Sequence, residues 1–250
     1  MTYRGLSADA TARLAADSGL AAIEWGADVH APPGDPHVLG QVRELTTGHG
    51  LAIASYGSYF RAGPHGSEEF SPVLTAAVAL GAPRIRIWAG ALGAAQASSD
   101  DVSAVVAQTR AAARMAADLG VELGYEFHRN TLTDSVESTL ALLDAVDEPN
   151  VSTYWQPPVG AGDDQAIAGL TALRERVCAM HVFSWWPDTH RVPLAARPDL
   201  WRRAFAVAAE ISRPMDALLE FVPDDDPNLL AAESATLGEL IADAEPSRRK

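Results

Sequence analysis

The stretch Tyr125-Glu126-Phe127-His128-Arg129-Asn130 follows the apolar run Val121-Glu122-Leu123-Gly124-Tyr125 and ends it with a carboxylate, an imidazole and a guanidinium. A buried strand has this form when it delivers its last side chains into a site. Three later stretches repeat the pattern: Val151-Ser152-Thr153-Tyr154-Trp155-Gln156, Val177-Cys178-Ala179-Met180-His181-Val182 and Ala217-Leu218-Leu219-Glu220-Phe221-Val222. Each is short, β-prone and closes on a group that can bind a metal or move a proton. In a parallel α/β barrel all strands open their C-termini on one face, so Glu126, Gln156, His181 and Glu220 can converge although they are far apart in sequence.

The rest of the chain supplies the scaffold for that convergence. Upstream, Ala21-Ala22-Ile23-Glu24-Trp25-Gly26, Leu51-Ala52-Ile53-Ala54-Ser55-Tyr56 and Arg84-Ile85-Arg86-Ile87-Trp88 also read as strands. Helices are expected after Ser7 and over 36–47, 68–80, 100–119, 135–146, 163–176, 199–211 and 229–244, with glycines such as Gly81 and Gly120 as stops. A strand-then-helix step of roughly 30 residues is the βαβ repeat. The count gives seven clear strands, and an eighth must come from residues 1–5, which make a short stub. No linker or composition shift divides residues 1–250, so the reading is one domain, a single (β/α)8 barrel with a polar, frayed tail over 245–250. A doubly wound sheet is the competing α/β fold, but its glycine-rich nucleotide turn is missing; Gly90-Ala91-Leu92-Gly93 matches no such fingerprint.

Composition narrows the function. The chain has 250 residues, 48% of them hydrophobic, enough for a full core. Nineteen basic against 33 acidic residues give a net charge of −14, which repels polyanions and argues against a nucleic-acid partner. The single cysteine, Cys178, sits inside an apolar strand and reads as a packed thiol; with no intrachain disulfide available, a cytoplasmic setting is expected. No run reaches the roughly 18 apolar residues of a membrane span, and no signal sequence opens the chain.

The order of these strand ends, together with Glu24, His30, Ser55, Tyr56, Arg61, Trp88, His128 and Trp185, resembles the xylose isomerase-like TIM barrels, the sugar-phosphate isomerase/epimerase superfamily, over nearly the whole length. In that family a Glu, an Asp, a His and a Glu at the ends of the last four strands bind one divalent ion. The resemblance therefore implies Glu126, Gln156, His181 and Glu220 as ligands, with Mn²⁺ expected and Mg²⁺ or Co²⁺ allowed. Three positions depart from the family pattern. Gln156 stands where Asp is usual, Val159 replaces a frequent His, and Trp185-Trp186-Pro187 occupy the region where an Arg commonly follows the seventh-strand His.

The implied chemistry is proton transfer next to a carbonyl. Two carboxylates, an amide oxygen and an imidazole form a mostly hard ligand set. An ion held by it makes the neighbouring C–H of a hydroxy-carbonyl sugar acidic, and Glu126 and Glu220, on opposite sides of the substrate, remove and return the proton. His128, His30, Trp185 and Arg191 are the expected substrate contacts. The expected activity is thus a metal-dependent isomerase or epimerase on a small polyhydroxylated substrate. A carbon–oxygen lyase on an inosose- or keto-sugar-like substrate and a metal-free non-catalytic subunit are the alternatives, and a homo-oligomer is left open.

Overall fold

The computed structural model describes residues 2–66 and 68–244. Seven parallel strands form a nearly closed barrel in the order β1 (Ala22–Gly26), β2 (Ala52–Arg61), β3 (Arg84–Trp88), β4 (Glu122–Tyr125), β5 (Val151–Trp155), β6 (Val177–Val182) and β9 (Asp216–Leu219). Each sheet neighbour is reached through a helical crossover, which is why every pair is parallel. The surrounding helices are α1 (Ala8–Asp17), α2 (Pro36–Gly48), α3 (Phe70–Leu80), α4 (Ser99–Ala117), α5 (Val136–Val146), α6 (Asp163–Leu173), α7 (Pro198–Ala208) and α8 (Leu230–Ala244). This is the TIM barrel expected from the alternation of strand and helix.

Local chemistry sets these boundaries. Ser7 caps α1 by accepting from the Ala10 amide at 3.2 Å, and Ser98 and Asp101 form a reciprocal capping box at the start of α4. Gly81 ends α3 at φ 79°, a left-handed conformation that glycine adopts without steric penalty. Strands β3, β5 and β6 are buried along their whole length, covered by helices outside and by side chains inside.

Two sequence expectations are corrected. The stub over residues 1–5 is not a strand among the described residues: Tyr3 takes φ 60°, incompatible with extended backbone, and Arg4–Gly5 form a turn. The Thr2 hydroxyl instead accepts from the Phe221 amide at 2.9 Å, and the Tyr3 hydroxyl donates to the Asp226 carbonyl at 3.4 Å. Strands β1 and β9 therefore flank an open seam, with a cavity of about 160 Å³ lined by Ile23, Glu24, His30, His181, Leu218 and Glu220 among others. The second correction lies after β6, where β7 (Ser184–Trp185) and β8 (Arg191–Val192) pair as an antiparallel hairpin that the sequence reading did not include. The tail over 245–250 and Met1 lie outside the described residues.

Polar groups inside the barrel are paired with one another. Arg84 donates across it to Asp216 at 2.9 Å, and the Cys178 thiol donates to the Thr153 carbonyl at 3.4 Å while burial pushes its pKa up to about 12. Gly124 makes room for the inward ring of Tyr154: a Cβ at Gly124 would lie 2.4 Å from Tyr154 Cε2. Gly124→Ala is therefore expected to destabilise the fold by about 1–3 kcal/mol through overpacking against a rigid ring, read as a lower midpoint in urea denaturation with unchanged slope.

Candidate functional site

The ladder carries the functional side chains one rung past the strands. The Glu126 amide donates to the Ile87 carbonyl at 2.9 Å, and the Glu220 amide donates to the Val182 carbonyl at 3.0 Å, so both residues leave their strands still tethered to the neighbouring one. Thr133 adds a hydroxyl donation to the Glu126 carbonyl at 2.6 Å. Gln156 follows β5 directly, and His181 is the penultimate residue of β6. All four expected ligands thus stand at the C-terminal ends of consecutive sheet strands.

Three of them meet. His181 Nδ1 lies 2.9 Å from Gln156 Oε1 and 3.4 Å from Glu220 Oε2, so an amide oxygen and a carboxylate oxygen both lie against one imidazole nitrogen. Glu126 is held differently, accepting a hydrogen bond through Oε2 from Arg86 Nη1. Among the described residues no three His, Cys, Asp or Glu side chains form a ready-made ion cluster. The third donor beside His181 and Glu220 is the Gln156 amide, and Glu126 is paired with a guanidinium.

Arg86 and Glu24 are the residues that the sequence reading underweighted. Arg86 is 3% exposed, and its Nε donates to Glu24 Oε1 at 3.0 Å. Glu24 Oε2 in turn accepts from the Ser55 hydroxyl at 2.6 Å and from the Tyr154 hydroxyl at 3.0 Å. A continuous chain, Tyr154 to Glu24 to Arg86 to Glu126, therefore crosses the barrel interior from β5 to β1 to β3 to the end of β4. The signal was present in the period-two alternation Arg84-Ile85-Arg86-Ile87, which puts both arginines on one strand face.

Electrostatics follow from this packing. Burial raises the Glu24 pKa, but the Arg86 charge, His181 and the donated hydrogen bonds outweigh it and bring it down to about 2. Burial likewise opposes ionisation of Glu220, yet His181 and Arg86 hold its pKa below the ordinary carboxylate range. Arg86 pays a large desolvation cost and is nonetheless held more firmly protonated than a free arginine by Glu126, Glu24 and Glu220. Burial and the Glu24 charge push the Tyr154 phenol well above its ordinary value, so it remains a donor.

The expected substrate contacts sit on two walls. His128 Nδ1 lies 2.6 Å from the Arg129 carbonyl, and its ring meets Trp88 edge-on at 5.0 Å, with the Arg61 guanidinium over the same indole at 4.3 Å. Trp185 packs against Phe183 at 5.0 Å and Phe221 at 4.7 Å, and Arg191 lies over Phe221 at 4.9 Å while donating to Asp225 at 2.7 Å. Phe221 takes φ 53°, a left-handed conformation rare for an aromatic residue, immediately after Glu220. Trp186 is 45% exposed and stacks with Arg197, so of the two adjacent indoles Trp185 is the more enclosed. His30 Nε2 lies 2.8 Å from the Leu6 carbonyl, which anchors it beside the seam with Glu24 and Glu220.

A family model for the xylose isomerase-like TIM barrel matches residues 12–209. The chain belongs to this family. A search of curated proteins finds no match. Among solved structures of the same fold, the probable 3-DHS dehydratase AsbF of petrobactin synthesis from Bacillus anthracis is 20% identical, with TM-score 0.77 over 93% of this chain and 94% of that one. An L-ribulose 3-epimerase is 16% identical, with TM-score 0.75 over 97% of this chain and 93% of that one. A xylose isomerase-like TIM barrel protein from Mycobacterium smegmatis in complex with magnesium is 16% identical, with TM-score 0.70 over 96% of this chain and 91% of that one. At these identities the likeness establishes the xylose isomerase-like barrel and nothing finer.

The depressed Glu24 pKa links the site to stability. A carboxylate lowered on folding contributes stability that is present above its ordinary pKa and lost as pH falls toward the folded value, here from about 4.5 to about 2. Glu24→Gln is expected to be less stable than wild type at pH 7 and to lose less stability between those two values, measured by chemical denaturation across the range.

Proposed function

We propose that this xylose isomerase-like barrel is a metal-dependent sugar isomerase or epimerase that moves a proton next to a carbonyl on a small polyhydroxylated substrate. The observation that carries this reading is the meeting of strand-end donors inside the barrel. Gln156 Oε1 and Glu220 Oε2 both lie against His181 Nδ1, at 2.9 and 3.4 Å, and Glu126, the fourth strand-end donor, is held in the same interior by Arg86.

The donor set suits such an ion. Gln156 Oε1, His181 Nδ1 and Glu220 Oε2 already face one another, and Glu126 has an oxygen that Arg86 does not use. These are the residues that would hold it, and their oxygen-rich character favours Mn²⁺, Mg²⁺ or Co²⁺. Bound there, the ion supplies Lewis-acid polarisation of the substrate carbonyl.

The chain's own residues do the rest. Glu126 and Glu220 leave well-separated strands, so one carboxylate takes the proton beside the carbonyl and the other returns it, to the opposite face for epimerisation or to the adjacent carbon for isomerisation. The walls formed by Trp88 with His128 and by Trp185 with Phe221 present ring faces on which sugar C–H groups stack. His128, His30 and Arg191 offer polar contacts to hydroxyls. A second reading draws on the likeness to the dehydratase: if a β-hydroxyl departs from the same anion, the enzyme is a carbon–oxygen lyase. The metal-free, non-catalytic alternative draws on Gln156, and metal content of the purified protein separates it from both enzyme readings.

Two outcomes are expected. Incubation with Mn²⁺ and a panel of ketoses, inososes and their glycosides in D₂O will place deuterium on the carbon beside the carbonyl. Incorporation will fall by roughly 10²-fold or more in Glu126→Gln and Glu220→Gln, in the range of a lost general base. No incorporation with any substrate, or incorporation that persists in both variants, refutes the proposal, whereas loss of a hydroxyl identifies the lyase. Separately, Gln156→Asp adds an anionic hard ligand and is expected to tighten Mn²⁺ binding in calorimetric titration; unchanged or weaker affinity removes Gln156 from the ligand set.

A further inference from the structure

We infer that Arg86 is the positioning residue of this site, holding the Glu126 carboxylate in place and setting how tightly the site takes a divalent cation. The inference deepens the proposed function and rests on it. Its basis is geometric. The guanidinium is anchored at one end, where Nε donates to Glu24 Oε1 at 3.0 Å, and Glu24 is itself fixed by Ser55 and Tyr154. Gly57 leaves the space for this pair: a Cβ there would lie 2.8 Å from Arg86 Nη2 and 2.9 Å from Glu24 Oε1. The other edge of the planar fork donates to Glu126 Oε2.

Two consequences follow from that arrangement. Because the fork is held by a hydrogen-bonded base rather than by a flexible stem, Glu126 is presented in one orientation before substrate arrives. A lysine carries the same charge but lacks the planar fork whose donors point in fixed directions at both carboxylates. Because the guanidinium is a fixed positive charge against one of the four proposed ligands, it also opposes a dication at that point. Wild-type affinity is then a compromise between ligand preorganisation and cation repulsion.

Mn²⁺ titration calorimetry and deuterium incorporation on purified wild type, Arg86→Gln, Arg86→Lys and the double variant Glu24→Gln/Arg86→Gln test this. Circular dichroism and melting show which variants are folded. Arg86→Gln is expected to bind Mn²⁺ at least about tenfold more tightly, since a unit charge is removed at close range in a low-dielectric interior. The double variant, which restores the buried net charge, should return toward the wild-type affinity. Arg86→Lys should keep near wild-type affinity and KM while turnover falls by about tenfold or more, because Glu126 is no longer oriented. An unchanged or weaker affinity in folded Arg86→Gln, or full turnover in Arg86→Lys, overturns the inference. If Arg86→Gln does not fold, the turnover of Arg86→Lys decides. Mn²⁺ binding by Arg86→Gln but not by wild type upholds the inference and removes the ion from the native reaction; binding by neither refutes both.

Discussion

A guanidinium buried between two carboxylates is the constraint on which this barrel interior depends. Removing Arg86, Glu24 and Glu126 from water is costly for each alone, and the cost is met only when their hydrogen bonds are made together. Loss of one partner leaves an uncompensated charge, which is more damaging than loss of the group itself. The chain is therefore exacting about its neighbours: Ser55 and Tyr154 must complete Glu24, and Gly57 and Gly124 must stay without side chains so that the long polar groups fit.

That internal network also divides the labour of the strand ends. On one side of the barrel Gln156 and Glu220 both contact the His181 imidazole. On the other, Glu126 is tied through Arg86 to Glu24 and faces the wall of Trp88, His128 and Arg61. The two carboxylates proposed to exchange a proton with substrate thus sit in different hydrogen-bonded settings, one beside an imidazole and one on a guanidinium. Different settings are what a pair with opposite roles requires.

Much of this was legible in the chain. The apolar runs ending at Glu126, Gln156, His181 and Glu220 announced parallel strands opening on one face, and glycines marked the helix ends correctly. The eighth strand was the failure. A five-residue stretch can be assigned to extended structure only if its backbone cooperates, and Tyr3 turns instead into the left-handed region while Thr2 binds Phe221. The β7–β8 hairpin was missed because two-residue strands carry no periodic signal. In the sequence alone Arg86 reads as part of a strand and not as part of the site. Its alternation with Ile85 and Ile87 showed which face it shared, but not which acids lay across the barrel.

By itself the sequence determined the succession of strands and helices, the barrel class, and the polar residue at each strand end, because these depend on periodicity and on turn chemistry a few residues long. Only the tertiary structure decided that β1 and β9 do not pair with each other, that Glu126 rests on Arg86 while Gln156 and Glu220 meet at His181, and that Glu24 and Tyr154 belong to the same network. Those relations join residues up to 130 positions apart. Closure of the barrel brings them within hydrogen-bonding distance, and no local pattern encodes such a distance.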